Sequence, residues 1–133
     1  MSAVNDDILV ARRYGVVRCG VSSLTAPTVS ELAREFGLRA SESCYREIDE
    51  AAARASVLRL LHRDLAYDAE VMPLGWAGQL TDRFFAQFGE GSTSFSNKFF
   101  TNNWCPVTDA TFDEGILILG PDSCGCLWVE DED

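Results

Sequence analysis

Histidine is almost missing from this 133-residue chain, with His62 the single example. A Ser-His-Asp or Cys-His apparatus needs an imidazole held beside a nucleophile. No such pair assembles around His62, which reads as a helix residue near the core boundary. Long apolar runs are missing too. Nothing approaches the ~18–20 consecutive apolar residues that span a bilayer. The N-terminal stretch Ile8–Val10 stops at Arg12 and Arg13, so no secretory signal is expected. Basic residues nearly vanish after residue 63. From Asp64 onward 13 acidic residues face only Arg83 and Lys98, whereas residues 1–63 carry 8 acidic and 9 basic ones. The net charge of −10 therefore belongs to one half of the chain. That sign disfavours adhesion to nucleic acid or to an anionic membrane.

What is present is enough for a core. Hydrophobic residues make up 47% and aromatic residues 11%, which excludes disorder of the whole chain. Area scaling at this mass gives about 6,900 Å² folded against about 21,000 Å² extended, so roughly two-thirds of the surface is buried. One domain spanning 1–133 is expected. The five cysteines, Cys19, Cys44, Cys105, Cys124 and Cys126, leave an odd thiol under any full pairing. A reduced, cytoplasmic setting fits that count.

Periodicity divides the chain into a helical part, about 1–90, and a β part, about 95–129, followed by an acidic tail at 130–133. Asn5 is placed to cap a first helix. Gly15–Val21 stays ambiguous between helix and strand. Thr28-Val29-Ser30-Glu31 has capping-box spacing, with Gly37 as the stop. Tyr45, Ile48, Ala52, Ala55, Leu58, Leu61 and Leu65 recur at threes and fours, which predicts one long helix over 41–67. Trp76, Leu80, Phe84 and Phe88 predict another over 75–88. Lys98–Thr101, Ile116–Leu119 and Cys126–Val129 read as strands, the last two joined by turn residues 120–125 into a hairpin over 116–129. The expected fold is α+β, with N-terminal helices packed on a small C-terminal antiparallel sheet.

Several motifs imitate chemistry. His62-Arg63-Asp64-Leu65 copies a kinase catalytic loop, but Ala69 stands where that loop carries its metal-binding asparagine. Gly89-Glu90-Gly91 follows a helix rather than a strand, the wrong context for a dinucleotide loop. Cys124-Gly125-Cys126 could place two thiolates on one metal with Cys105. Structural zinc, however, takes pairs spaced C-x₂₋₄-C or histidines. No metal, no cofactor and no catalytic residue is expected.

Two resemblances bear on function. Leu32-Ala33-Arg34-Glu35-Phe36-Gly37-Leu38, then Ser41 and Tyr45-Arg46-Glu47-Ile48, resembles the helix-turn-helix of bacterial regulators over 28–48. It implies Arg39, Ser41, Ser43 and Arg46 as base readers, and this is the alternative reading. The whole chain, small, acidic and without catalytic groups, resembles bacterial immunity proteins (antitoxins), which plug a toxin's active site. That likeness is one of class, so no family positions transfer. It implies a non-enzymatic inhibitor whose partner is a cognate toxin with a basic cleft, reached quickly by electrostatic steering. No membrane is involved in this reading, and nucleic acid is disfavoured. The expected docking face comprises Asp109, Asp113, Glu114, Asp122, Glu130, Asp131, Glu132 and Asp133, with Trp104 or Trp128 as an apolar anchor.

Overall fold

The computed structural model describes residues 3–100 and 103–132. In chain order its elements are α1 (Ala3–Ala11), β1 (Val16–Val21), α2 (Val29–Glu35), a 3₁₀ turn (Glu42–Cys44), β2 (Arg46–Ile48) and α3 (Glu50–His62). There follow α4 (Leu74–Phe85), β3 (Thr93–Ser96), β4 (Lys98–Phe100), β5 (Asn103–Trp104), β6 (Phe112–Leu119) and β7 (Cys124–Asp131). Five strands form one sheet in the order β1-β7-β6-β3-β2, with every neighbouring pair antiparallel; β4 and β5 form a small ribbon of their own. The result is one α+β domain.

The β6–β7 hairpin is the centre of the sheet, and both its faces are covered. Ile116, Ile118, Leu127 and Val129 point to one side, where Val4 and Ile8 of α1, Val57 and Leu61 of α3, and Leu80 and Phe84 of α4 meet them. Leu117, Cys126 and Trp128 point to the other, against Leu32 and Ala33 of α2 together with Leu38, Tyr45 and Val107. Burial on both faces explains why these strands read as continuous apolar runs rather than alternating ones. Gly115 lies opposite Trp128 in the ladder, and a Cβ there would stand 2.6 Å from the indole, so only glycine leaves room for that ring. Among the described residues no helix is long and apolar enough to cross a membrane.

The capping box at Thr28 forms as its spacing predicts: the threonine hydroxyl accepts from the Glu31 amide, and the Glu31 carboxylate accepts from the Thr28 amide. The helix expected over 41–67 does not form as one piece. Asp49 caps α3 by accepting the Ala52 amide at 2.7 Å, so the helix starts only at Glu50. Before it, Arg46–Ile48 pairs with β3 as an edge strand. Tyr45 turns to the far face, where its ring meets Trp128 edge-on and its hydroxyl donates to the Arg39 carbonyl. Tyr45 and Ile48 thus serve opposite faces of a sheet rather than one helical stripe. The helix ends at His62, because Arg63 is extended and bridges Glu70. The part expected to be helical, 1–90, also contains β1 and β2.

The four-residue acidic tail is a further correction. Glu130 and Asp131 continue β7, paired to Val16 and Phe112 respectively. Asp131 is fully buried, and its carboxylate takes a bidentate contact from the equally buried Arg12 at 2.9 and 3.1 Å. Asp131 also accepts the Leu65 amide at 2.7 Å, while Arg12 donates to the carbonyls of Tyr14, Leu60 and Arg63. Cys44 and Cys105, 61 residues apart, are joined in a disulfide, with Cys19, Cys124 and Cys126 free. Such a separation leaves no local signal, and the sequence had suggested five reduced thiols.

Removing one partner of a buried ion pair strands the other charge and costs about 3–5 kcal/mol. Arg12→Ala and Asp131→Asn are each expected to lose that much in urea unfolding. A double replacement by Met and Leu should recover most of the loss. Near-wild-type stability of both single variants would rule out the buried pair.

Candidate partner-binding cleft

A cleft of about 530 Å³ opens at the end of the sheet where β1 and β7 terminate, on the face covered by α2. Val16 and Arg18 of β1 form its floor, Gly37 and Arg39 beyond α2 form one wall, and Thr108 and Asp109 form the other. Glu130 and Glu132 close it. Gly37 ends α2 at φ +79°, a conformation that favours glycine, and a Cβ there would stand 2.9 Å from the Arg18 guanidinium. The turn is thus shaped around Arg18.

Charge in the cleft is paired but loosely held. Arg18 spans from the Phe36 carbonyl to Glu130, both at 3.2 Å, and its buried Nε has no partner among the described residues. Arg39 donates to Asp109 at 2.6 Å, yet the Asp109 side chain is 98% exposed. An exposed pair of this kind is worth about 0–1 kcal/mol, so little free energy ties Asp109 to Arg39. Glu132 accepts the Thr111 amide at 3.1 Å and the Thr111 hydroxyl.

Asp113 builds the wall from behind. It is buried, and its carboxylate accepts from the amides of Val107 and Thr108, the Thr108 hydroxyl, the Asn97 amide and the Trp128 indole at 2.8–3.3 Å. Its carbonyl accepts the Trp104 indole. Burial pushes its pKa up, against the opposing pull of those donors. Asp113 therefore acts on the cleft through the loop it holds. Asp64 does comparable work just beyond the C-terminal end of α3. Its carboxylate is also buried, but the amides of Tyr67, Ala69 and Ala66 outweigh that burial and hold its pKa below the ordinary value.

The expected docking face thus divides. Asp109, Glu130 and Glu132 come together at the cleft. Trp104 is exposed at 41%, anchored on Asp113 rather than lining the cleft. Asp113, Glu114, Asp131 and Trp128 are buried and have no surface to offer a partner. Glu114 lies under α3, where it takes Arg59 and, at 3.9 Å, Lys98. Asp122 sits in the β6–β7 turn, roughly 25 Å along the strand from Glu130 at 3.4 Å per residue. Asp133 lies outside the described residues. Arg18 and Arg39 were not among the expected docking residues. Alternation along a strand over Val16–Val21 places Arg18 opposite the Val17–Cys19 face.

Comparison with protein-family models, with curated proteins and with solved structures finds no match.

The motifs that imitated chemistry resolve into structure. His62 Nδ1 lies 2.9 Å from the Met72 carbonyl, fastening the end of α3 to the start of α4. Cys124 and Cys126 are buried on the α2 face, and burial pushes the Cys126 thiol well up. Among the described residues no group of three or more His, Cys, Asp or Glu side chains converges as a metal site. The helix-turn-helix resemblance lacks its second helix: Ser41 and Ser43 belong to the 3₁₀ turn and its cap, and Arg46 to β2.

Two of the buried aspartates, Asp113 and Asp64, are shifted in opposite directions. Asp113, raised in the fold, contributes stability that is lost as pH rises above the ordinary carboxylate value of about 4. Asp64, lowered in the fold, contributes stability that is lost as pH falls below that value. The stability of wild type relative to Asp113→Asn should therefore fall with rising pH, and relative to Asp64→Asn it should rise. Neither slope exceeds about 1.4 kcal/mol per pH unit, the limit for one proton. Urea midpoints between pH 3 and 7 check both signs; parallel slopes would contradict the assignment.

Proposed function

We propose that this chain is a non-enzymatic inhibitor of the immunity type, which docks on the basic cleft of a cognate toxin through the acidic end of its sheet. The observation that carries this reading is the convergence of Asp109, Glu130 and Glu132 at one cleft, on backbone fixed by the β1–β7 ladder and by Asp113. Rigid placement matters because a preorganised surface loses little conformational entropy on binding. Trp104 supplies an exposed aromatic beside the same loop. A net charge of −10 adds long-range steering toward a basic partner.

Deleting residues 130–133 is a poor test, since it removes Asp131 from its buried pair. Reversing two exposed charges, Asp109→Lys with Glu132→Lys, leaves the core intact. Against the cognate toxin this double variant is expected to associate about tenfold more slowly at low salt, with the difference shrinking at ~0.5 M salt as screening shortens. Cells carrying the toxin should lose protection in parallel. An unchanged association rate and salt dependence would refute docking at this cleft.

A further inference from the structure

β1 is the end strand of the sheet, and its outer side is unpaired among the described residues. Which backbone groups face outward follows from the ladder. The Ser22 amide donates to the Cys124 carbonyl at 2.7 Å, continuing a register in which Gly20 opposes Cys126, Arg18 opposes Trp128 and Val16 opposes Glu130. Antiparallel residues alternate between bonding inward and outward. Val16, Arg18 and Gly20 therefore bond to β7, and Val17, Cys19 and Val21 turn three amides and three carbonyls away from the sheet. No hydrogen bond among the described residues reaches those six groups.

Grooves flank this edge on both faces. On one side lies the acidic cleft, reached past Val16 and Arg18. On the other lies a groove of about 670 Å³ formed with α1, where Asn5, Asp6 and Gln87 face Cys19 and Val21. Burial, with Asp6 nearby, pushes the Cys19 thiol up to about 12, and it donates to Asn5 Oδ1 at 3.2 Å. That groove therefore carries one carboxylate and no compensating cation. Val16 and Val21, at the two ends of the edge, are 51% and 44% exposed.

We infer that the outer edge of β1 receives an extended basic segment of the partner as an added strand, an inference that rests on the inhibitor reading above. Strand addition draws affinity from main-chain bonds and specificity from pockets for alternate side chains. Here alternate side chains of the added strand enter the two grooves. Carboxylates exceed cations in both, three to two in the cleft and one to none opposite, so lysine or arginine fits each. Valine-sized neighbours cover Val16 and Val21. A second copy of this chain fits worse, since it brings another −10 to the same edge.

The probe is a capped synthetic peptide, Val-Lys-Lys-Val-Val-Lys-Lys-Val, which sets lysine and valine on both faces of the added strand and is long enough to span β1 at ~3.4 Å per residue. Hydrogen exchange should slow by about tenfold or more at the amides of Val17, Cys19 and Val21 when it binds. Cys19→Pro removes an outward amide without breaking the β7 ladder, a position where an edge strand tolerates proline. That variant should stay folded, with a circular dichroism spectrum like the wild type's, and bind the peptide about tenfold more weakly. Should it fail to fold, the same peptide N-methylated at alternate amides gives the equivalent test on the wild type and should not bind. Unprotected amides, or equal binding by the N-methylated peptide, would overturn strand addition. Equal binding of the valine–glutamate counterpart would overturn the basic occupant, as would a wild-type dimer protected at the same three amides. Toxin binding separates this inference from the one beneath it. Charge reversal that slows association while Cys19→Pro does not leaves the cleft and removes the strand; the converse removes the cleft as the entry site.

Discussion

The Arg12–Asp131 pair sets the arrangement of this molecule. A guanidinium and a carboxylate, both removed from water, have only each other and the surrounding backbone to satisfy them. The further donor and acceptors come from several separate segments. Arg12 follows α1, the Leu60 and Arg63 carbonyls belong to the end of α3, the Leu65 amide to the turn beyond it, and Asp131 to the last position of β7. One buried contact therefore fastens the chain's start, its middle and its end. It also fixes where β7 stops, and with it the position of Glu130 and Glu132 on either side of Asp131. Gly15, at φ +68°, lets the chain pass closely against that strand end.

Acidity in the second half of the chain has two separate uses. Asp64, Asp113, Glu114 and Asp131 are buried, each compensated by amides, hydroxyls or guanidinium groups, and they hold loops and helices to the sheet. Asp109 and Glu132 are exposed, and Glu130 is half-buried beside Arg18. Net charge counts the two groups alike, although only the second is open to a partner. Strand alternation makes the division at the end of β7, where Asp131 turns into the core while Glu130 and Glu132 on either side of it line the cleft.

The cleft and the edge share one strand. β1 contributes Arg18 to the cleft floor on one face and Cys19 and Val21 to the second groove on the other, with open backbone between them. Carboxylates border this strand on both faces, Glu130 in the cleft and Asp6 in the second groove. Arg18 and Arg39 keep the cleft carboxylates from repelling one another in the free protein, and the exposed Arg39–Asp109 pair is weak.

Patterns within a few residues of one another were readable from the sequence. The Thr28 capping box and the β6–β7 turn depend on neighbours and form where their spacing puts them, while α4 follows the stripe expected over 75–88 only as far as Phe85. The α+β class followed from the same local signals, as did the concentration of acid beyond residue 63. Tertiary structure decided what non-local partners control. Tyr45 and Ile48 match a helical period, yet Ile48 pairs along the open edge of β3 and Tyr45 packs edge-on against Trp128. The closing acidic run looks like a solvated tail because its counter-ion, Arg12, lies 119 residues away. The cleft was legible only in part. Asp109, Glu130 and Glu132 could be named as acids, but their meeting with Arg18 and Arg39 depends on β1 pairing with β7, a long-range choice set by which faces of the hairpin the helices cover.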